Sequence, residues 1–255
     1  MTLRHDARDR RSGPDLAVEQ ELFAQGYAGV IGMDEVGRGA LAGPVMVGAT
    51  WASPEIVLAV DGLTDSKALS DARRRSMVSE ILGWVAAATG SATAREIDEL
   101  GITQALRLAG MRALDALAAR VGERTMLASA VLLDGRDDWL TRTRDLFAEM
   151  EPDVLRDYRA GSPLWDLPVR TEIKGDFRCA TISAASVVAK VERDDLMISW
   201  AETHPVYGWE RNKGYGAEIH RLGIERWGPC PEHRLSWSLG ATEDQVARAR
   251  SQRAS

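Results

Sequence analysis

Apolar positions along the chain fall into two rhythms. Short runs at 28–34 and 43–51, joined by a glycine-rich turn, predict two strands of a hairpin-like unit. The stretch MLASAVLLDG, a segment near 88–95 and residues 168–174 predict three more strands. Elsewhere the apolar residues recur every three to four positions. This predicts a helix over roughly 70–87, with Ser70 as N-cap and Arg73, Arg74 and Arg75 in its early turns. It also predicts a long helix over about 98–121, with Ile102, Leu106, Ala109, Ala113, Leu117 and Val121 as its core face, and a helix over 178–200. Strands interleaved with helices imply an α/β layer architecture.

The flanks differ. Residues 1–26 begin as a polar, Arg/Asp-rich tail and become a short helix through Leu16, Val18, Leu22 and Phe23. The main domain is expected over 27–203. A segment over 204–240, rich in Gly, Pro and Trp, should form short helices, and 241–255 should be a tail. Within the main domain, 136–165 is polar and irregular, as an inserted excursion would be.

Composition narrows the class. The 255 residues are 45% hydrophobic and 27% charged, an ordinary globular balance. No run approaches the ~18 apolar residues of a membrane span. The charged N-terminus lacks the apolar core of a secretory signal, so a cytoplasmic protein is expected. Cys179 and Cys230 are too few for a disulfide framework and lack metal-motif spacing; both read as buried thiols. The net charge of -6 weighs mildly against a general nucleic-acid binder. It is compatible with an enzyme that gathers acids around a metal. Only four of the 32 basic residues are lysine: Lys67, Lys174, Lys190 and Lys213. An ammonium kept in a chain that otherwise writes arginine draws attention to its surroundings.

The acids recur at strand ends, where α/β sheets collect ligands: Asp34 with Glu35 after GVIGM, and Asp134 after AVLL. Neighbouring strand residues face opposite ways, so Asp34 and Glu35 share a site only where the strand stops, and Gly37 and Gly39 supply a break. On the helix after Arg178, Ser183, Ser186, Lys190 and Asp194 fall on one stripe at 100° per residue, beside an apolar stripe of Ala184, Val187, Val188, Val191 and Ile198. Asp34, Glu35, Asp134 and Asp194 could then converge. Hard oxygen donors without clustered His or Cys favour Mg²⁺ or Mn²⁺, and two such ions can activate water and steady the leaving oxygen of a phosphodiester.

The motifs DEVGRG (34–39), AGPV (42–45), DSK.LS (65–70), LLDG (132–135), ISAASVVAKVERD (182–194), KGYG (213–216) and HRLSW (233–237) stand in one order. Together they resemble the type 2 ribonucleases H over about residues 28–240. The resemblance implies a ribonuclease-H-like mixed β-sheet flanked by helices, with a C-terminal helical extension. It implies an endoribonuclease acting on RNA/DNA hybrids, and on DNA containing ribonucleotides, cutting on their 5′ side to leave 3′-hydroxyl and 5′-phosphate ends. Asp34, Glu35, Asp134 and Asp194 match the catalytic, metal-binding acids. Gly37, Arg38 and Gly39 match an element that reads the ribose 2′-hydroxyl, and Tyr215 one that packs on the neighbouring deoxyribose. Lys67, Ser183, Ser186 and Lys190 fit phosphate contacts; His220 and His233 match structural or phosphate-side positions. A monomer is expected. The chain departs from the pattern at Ala68, at Gly216-Ala217 and at Trp237. Two rivals stand beside this reading: a ribonuclease-H-like DNA nuclease of resolvase or integrase type, and a hybrid-binding module without catalysis.

Overall fold

The computed structural model describes residues 13–64, 66–141 and 152–254. Asp65 of the DSK motif, and residues 142–151 of the expected excursion, lie outside them. The helix expected near the N-terminus is α1 (Ala17–Ala24). The predicted hairpin is β1 (Gly29–Val36) and β2 (Val45–Ala52), paired antiparallel. Helix α2 (Asp71–Trp84) starts at Ser70, whose hydroxyl accepts from the Arg73 N–H. β3 (Ala86–Ala92) pairs antiparallel with β2.

The helix expected over 98–121 is two helices, α3 (Ala94–Leu100) and α4 (Ile102–Val121), because Gly101 adopts φ 77° and ends the first. A short α5 (Glu123–Leu127) leads into β4 (Ser129–Asp134). In the excursion, α6 (Asp153–Ala160) and its neighbours are not loose. Trp139, Leu140, Leu155, Leu164 and Trp165 join the core against α4. Then come β5 (Val169–Glu172), the single turn α7 (Gly175–Arg178) and α8 (Ala180–Thr203). The C-terminal part holds α9 (Trp209–Asn212), α10 (Glu218–Trp227) and α11 (Glu243–Ala254).

The last of these departs from the expected tail. Thr242 and Gln245 exchange backbone-to-side-chain hydrogen bonds at its start, a reciprocal cap. Arg253 near its end donates to Asp98 Oδ2 at 2.7 Å, to the Pro231 carbonyl at 2.8 Å and to the His233 carbonyl.

The five strands run in the order β3-β2-β1-β4-β5, with β1, β4 and β5 parallel. One face packs on α4 through Ile31, Met33, Val47, Val131 and Leu133. The other lies under α8. A Cβ on Gly32 would meet the Thr181 carbonyl carbon at 2.3 Å, and one on Gly48 the Ala185 oxygen at 2.2 Å, so α8 rests directly on the sheet backbone. Glu19 of α1 caps α8 from outside, accepting from Thr181 N–H (2.9 Å) and Oγ1 (2.8 Å).

Candidate active site

Strand pairing brings the first acids together. The β1–β4 register matches Met33 with Leu133, so Asp34 and Asp134 follow side by side where the parallel strands end. By alternation Asp34 faces α8 with Gly32. β1 continues two residues past Asp34 before Gly37 (φ 83°) turns the chain, so the break comes later than the sequence suggested. Glu35 nevertheless lies close enough to act on Asp34 as a like charge.

Asp34 is held well above the usual carboxylate range, first by burial. The Ser186 hydroxyl opposes this by hydrogen-bonding its carboxylate, while Glu35, Asp134 and Asp176 add repulsion. Glu35 is raised too, by burial foremost and by Asp134, against the pull of Arg38 at 3.4 Å.

The fourth acid of this group is Asp176, which sequence reasoning missed. Its N–H donates to Asp134 Oδ1 at 3.3 Å, and Gly175 before it packs so closely that a Cβ would sit 3.2 Å from the same oxygen. A legible signal existed: Asp176 comes just after β5, the strand parallel to β4, as Asp134 and Asp34 lie near the ends of theirs. Asp194, expected here, is elsewhere. It lies two turns beyond Ser186 on α8, about 12 Å along the axis at 1.5 Å per residue, and both its oxygens are held by Lys190 Nζ at 2.5 and 2.6 Å.

The α8 stripe is therefore internal. Ser183 is 0% exposed, with no partner for its hydroxyl among the described residues, and Ser186, itself buried, meets Ser66 Oγ at 2.9 Å. Both side chains are shut off from a substrate phosphate; Ser186 instead links the DSK loop to Asp34. Lys190 is occupied by Asp194, and Lys67 is exposed on a 3₁₀ turn.

The GRG loop lies beside these acids and is fixed by two fully buried arginines. Arg234 donates to the carbonyls of Gly37 (2.5 Å), Arg38 (2.7 Å) and Gly43 (3.3 Å). Arg193 donates to those of Pro44 (2.9 Å), Ala42 (3.1 Å) and Lys213 (2.9 Å). Burial lowers both guanidinium pKa values, that of Arg234 to about 9. A Cβ on Gly37 would collide with Arg193 Nε at 2.1 Å.

Tyr215 joins the loop from the C-terminal part. Its hydroxyl accepts from Gly37 N–H at 3.1 Å, and its ring lies 5.5 Å from the Arg193 guanidinium carbon. Behind it runs a buried relay. The Cys230 N–H donates to His233 Nδ1 (3.0 Å), which leaves His233 Nε2–H to donate to His220 Nε2 (3.0 Å), and His220 Nδ1–H to donate to the Tyr215 carbonyl (2.8 Å). The tautomers follow from this order of donors. Both histidines are structural and held neutral, chiefly by burial; His233 is lowered to about 3. Gly216-Ala217, where the resembled family carries other residues, leaves Tyr215 tied by these bonds. The consequence of Ala217 falls on α10, which starts without a side-chain cap.

The ribonuclease HII family model matches residues 31–239, which include every one of these groups. The chain belongs to the ribonuclease HII family. It is thus an endoribonuclease with a ribonuclease-H-like sheet and C-terminal helices. A ribonuclease HII from Streptomyces avermitilis is 43% identical over 227 residues, spanning 88% of this chain and 84% of its own. One from Zymomonas mobilis is 40% identical, spanning 90% and 91%. Among solved structures, the ribonuclease H2 of Pyrococcus horikoshii superposes with a TM-score of 0.61 at 22% identity, covering 87% of this chain and 99% of that one. A Bst-RNase HIII solved in complex with Mn²⁺ gives 0.59 at 21% identity, covering 89% and 71%. At these identities the two structures speak for the fold. No helix among the described residues is long and apolar enough to cross a membrane.

As they stand, no three of the described His, Cys, Asp and Glu side chains are drawn tightly enough together to hold an ion. The chemistry of the donors fits one all the same. Four carboxylates and no clustered nitrogen or sulfur form a hard site, and the repulsion at Asp34 is what a divalent cation would relieve.

Proposed function

We propose that this ribonuclease HII cleaves RNA/DNA hybrids and DNA containing single ribonucleotides. It cuts 5′ to the ribonucleotide and leaves 3′-hydroxyl and 5′-phosphate ends, a reaction suited to clearing ribonucleotides from DNA. Asp34, Glu35, Asp134 and Asp176 would hold the divalent ions, Mg²⁺ or Mn²⁺; Asp176 takes the place first expected of Asp194. When bound, two such ions supply the charge that activates a water and stabilises the departing 3′ oxygen.

The chain's own groups do the rest. Ser186 orients Asp34, and Asp176 N–H orients Asp134. Lys190 and Asp194 neutralise each other on α8. The Bst-RNase HIII complex with Mn²⁺ supports the choice of metal.

One observation carries the recognition of ribose. Gly39 is exposed, has an ordinary φ, and a Cβ there would meet nothing within 4 Å. No described residue fills the space over Gly39, so its backbone stands open to whatever docks outside. The N–H groups of Arg38 and Gly39 have no partner among the described residues, while the loop's carbonyls are locked inward by Arg234. Two free donors on a rigid loop next to the acids suit a 2′-hydroxyl. Tyr215, tied to Gly37, stands where the next sugar would lie.

Incubation with three labelled duplexes tests this reading: all-DNA, one embedded ribonucleotide, and full hybrid. Cutting of the second and third is expected. End-labelling should map the 5′-phosphate to the ribonucleotide and the 3′-hydroxyl to the deoxynucleotide before it. Cleavage of the all-DNA duplex would revive the resolvase-type reading; tight hybrid binding with no cutting in Mg²⁺ or Mn²⁺ would revive the silent binding module.

A further inference from the structure

Among the described residues only two that are not glycine have a positive φ, and both are among the four lysines: Lys174 (57°) and Lys213 (52°). Lys213 has a local reason. It ends α9, where a left-handed residue is common, and its ammonium returns to the Glu210 carbonyl. Lys174 has none. It precedes the single turn α7 and makes no side-chain cap there. Its side chain is exposed and its ammonium meets no partner among the described residues. Glycine would adopt this backbone without penalty. A strained backbone kept with a long charged side chain points to a use for the charge.

The position says which use. The turn is closed by Phe177 N–H donating to the Lys174 carbonyl at 3.1 Å. It is pinned to the acids through Gly175 and the Asp176 N–H. The nearby Glu172 already pairs with Arg170 at 2.6 Å and Arg178 at 3.0 Å, so Lys174 is not needed to neutralise it. Its exposed neighbours Ile173 and Phe177 are 54% and 45% accessible, an apolar rim at the edge of a charged site. Ser183 and Ser186 are enclosed and Lys190 is spent on Asp194, so most of the expected phosphate ligands are out of reach of a substrate.

We propose that Lys174 binds a backbone phosphate of the nucleic-acid strand entering the acid site, on the side opposite the GRG loop. The inference rests on the hybrid-cleaving function proposed above. The exposed side chain belongs to the turn that carries Asp176, and an ammonium there acts as a point charge on a phosphodiester.

The test compares Lys174→Gly and Lys174→Arg with the unaltered protein. Lys174→Gly removes the charge and relieves the backbone, so its melting temperature should hold or rise. Binding of a fluorescent RNA/DNA duplex in EDTA should nevertheless weaken several-fold, and the slope of log K against log salt should fall by about 0.7–0.9, one phosphate contact. In Mg²⁺ the loss should appear in KM with kcat nearly kept, and Lys174→Arg should retain most of the affinity. Unchanged affinity and salt slope in Lys174→Gly would overturn the proposal, as would an equal loss in Lys174→Arg. If the unaltered chain neither binds nor cuts a hybrid, the functional reading itself has failed, an outcome distinct from either.

Discussion

The two halves of the site carry opposite buried charge and treat it differently. At the sheet ends, Asp34, Glu35, Asp134 and Asp176 crowd together, and burial and mutual repulsion push protons onto Asp34 and Glu35. Across the GRG loop, Arg193 and Arg234 are fully buried, yet carbonyl oxygens surround them. The cations are satisfied by the protein and need nothing further. The anions are left for a ligand to complete. One half is a fixed template and the other carries unrelieved repulsion, a pairing that the proposed reading of a ribose beside divalent ions would use.

The largest effect should come from the anionic half. Asp34→Asn, Glu35→Gln, Asp134→Asn and Asp176→Asn should each lower hybrid cutting by about a hundredfold or more while the circular dichroism spectrum persists. Asp194→Asn should cost far less in rate, since its carboxylate serves Lys190. Equal losses for Asp176 and Asp194, or a harmless Asp176→Asn, would restore the assignment read from sequence.

The cationic half should show its worth in stability. Arg234→Gln strips donors from three carbonyls and should cost about 3 kcal/mol or more in urea denaturation. Arg95→Gln, which breaks only an exposed pair with Glu99, should change stability by less than about 0.5 kcal/mol. A similar small cost for both would mean that the loop is not held by its buried guanidinium.

The smallest effect sharpens the contrast through pH. Asp34 has a raised folded pKa, so without metal its contribution falls as pH rises from the unfolded value near 4 toward the folded one. His233 runs the other way: lowered to about 3, it supports the fold above an unfolded value near 6.5 and loses that support as pH falls through this interval. In EDTA at neutral pH, Asp34→Asn should therefore raise the melting temperature by about 2–4 °C. Mg²⁺ should stabilise the unaltered protein more than the variant. A variant that melts lower in EDTA would mean that Asp34 is not under strain there.

Much of the fold can be read from the amino acids in order. The alternation at 28–34 and 43–51 predicts β1 and β2, and Ser70 marks the start of α2. Three of the four acids are visible because each ends or follows an apolar strand. Two kinds of feature escape such a reading. Gly101 splits a periodic run whose apolar spacing hardly falters, and α11 hides behind a polar sequence in which only the Thr242/Gln245 cap signals a helix. Asp194 stands out over Asp176 because helical spacing lines it up with Ser183, Ser186 and Lys190 on one stripe. The stripe is real, but a helix of this length carries its ends far apart, and Asp194 rides past the site to Lys190.

Sequence alone determined most of the elements, the family and the stock of carboxylates, because strand alternation, helix spacing and caps are local and each residue type has a fixed chemistry. Tertiary structure decided which acid completes the group, which serines turn inward, and that Arg193 and Arg234 clasp the loop. Those outcomes depend on how parallel strands, α8 and the C-terminal helices meet, and contacts between groups as far apart as residues 37 and 234 leave no periodic trace along the chain.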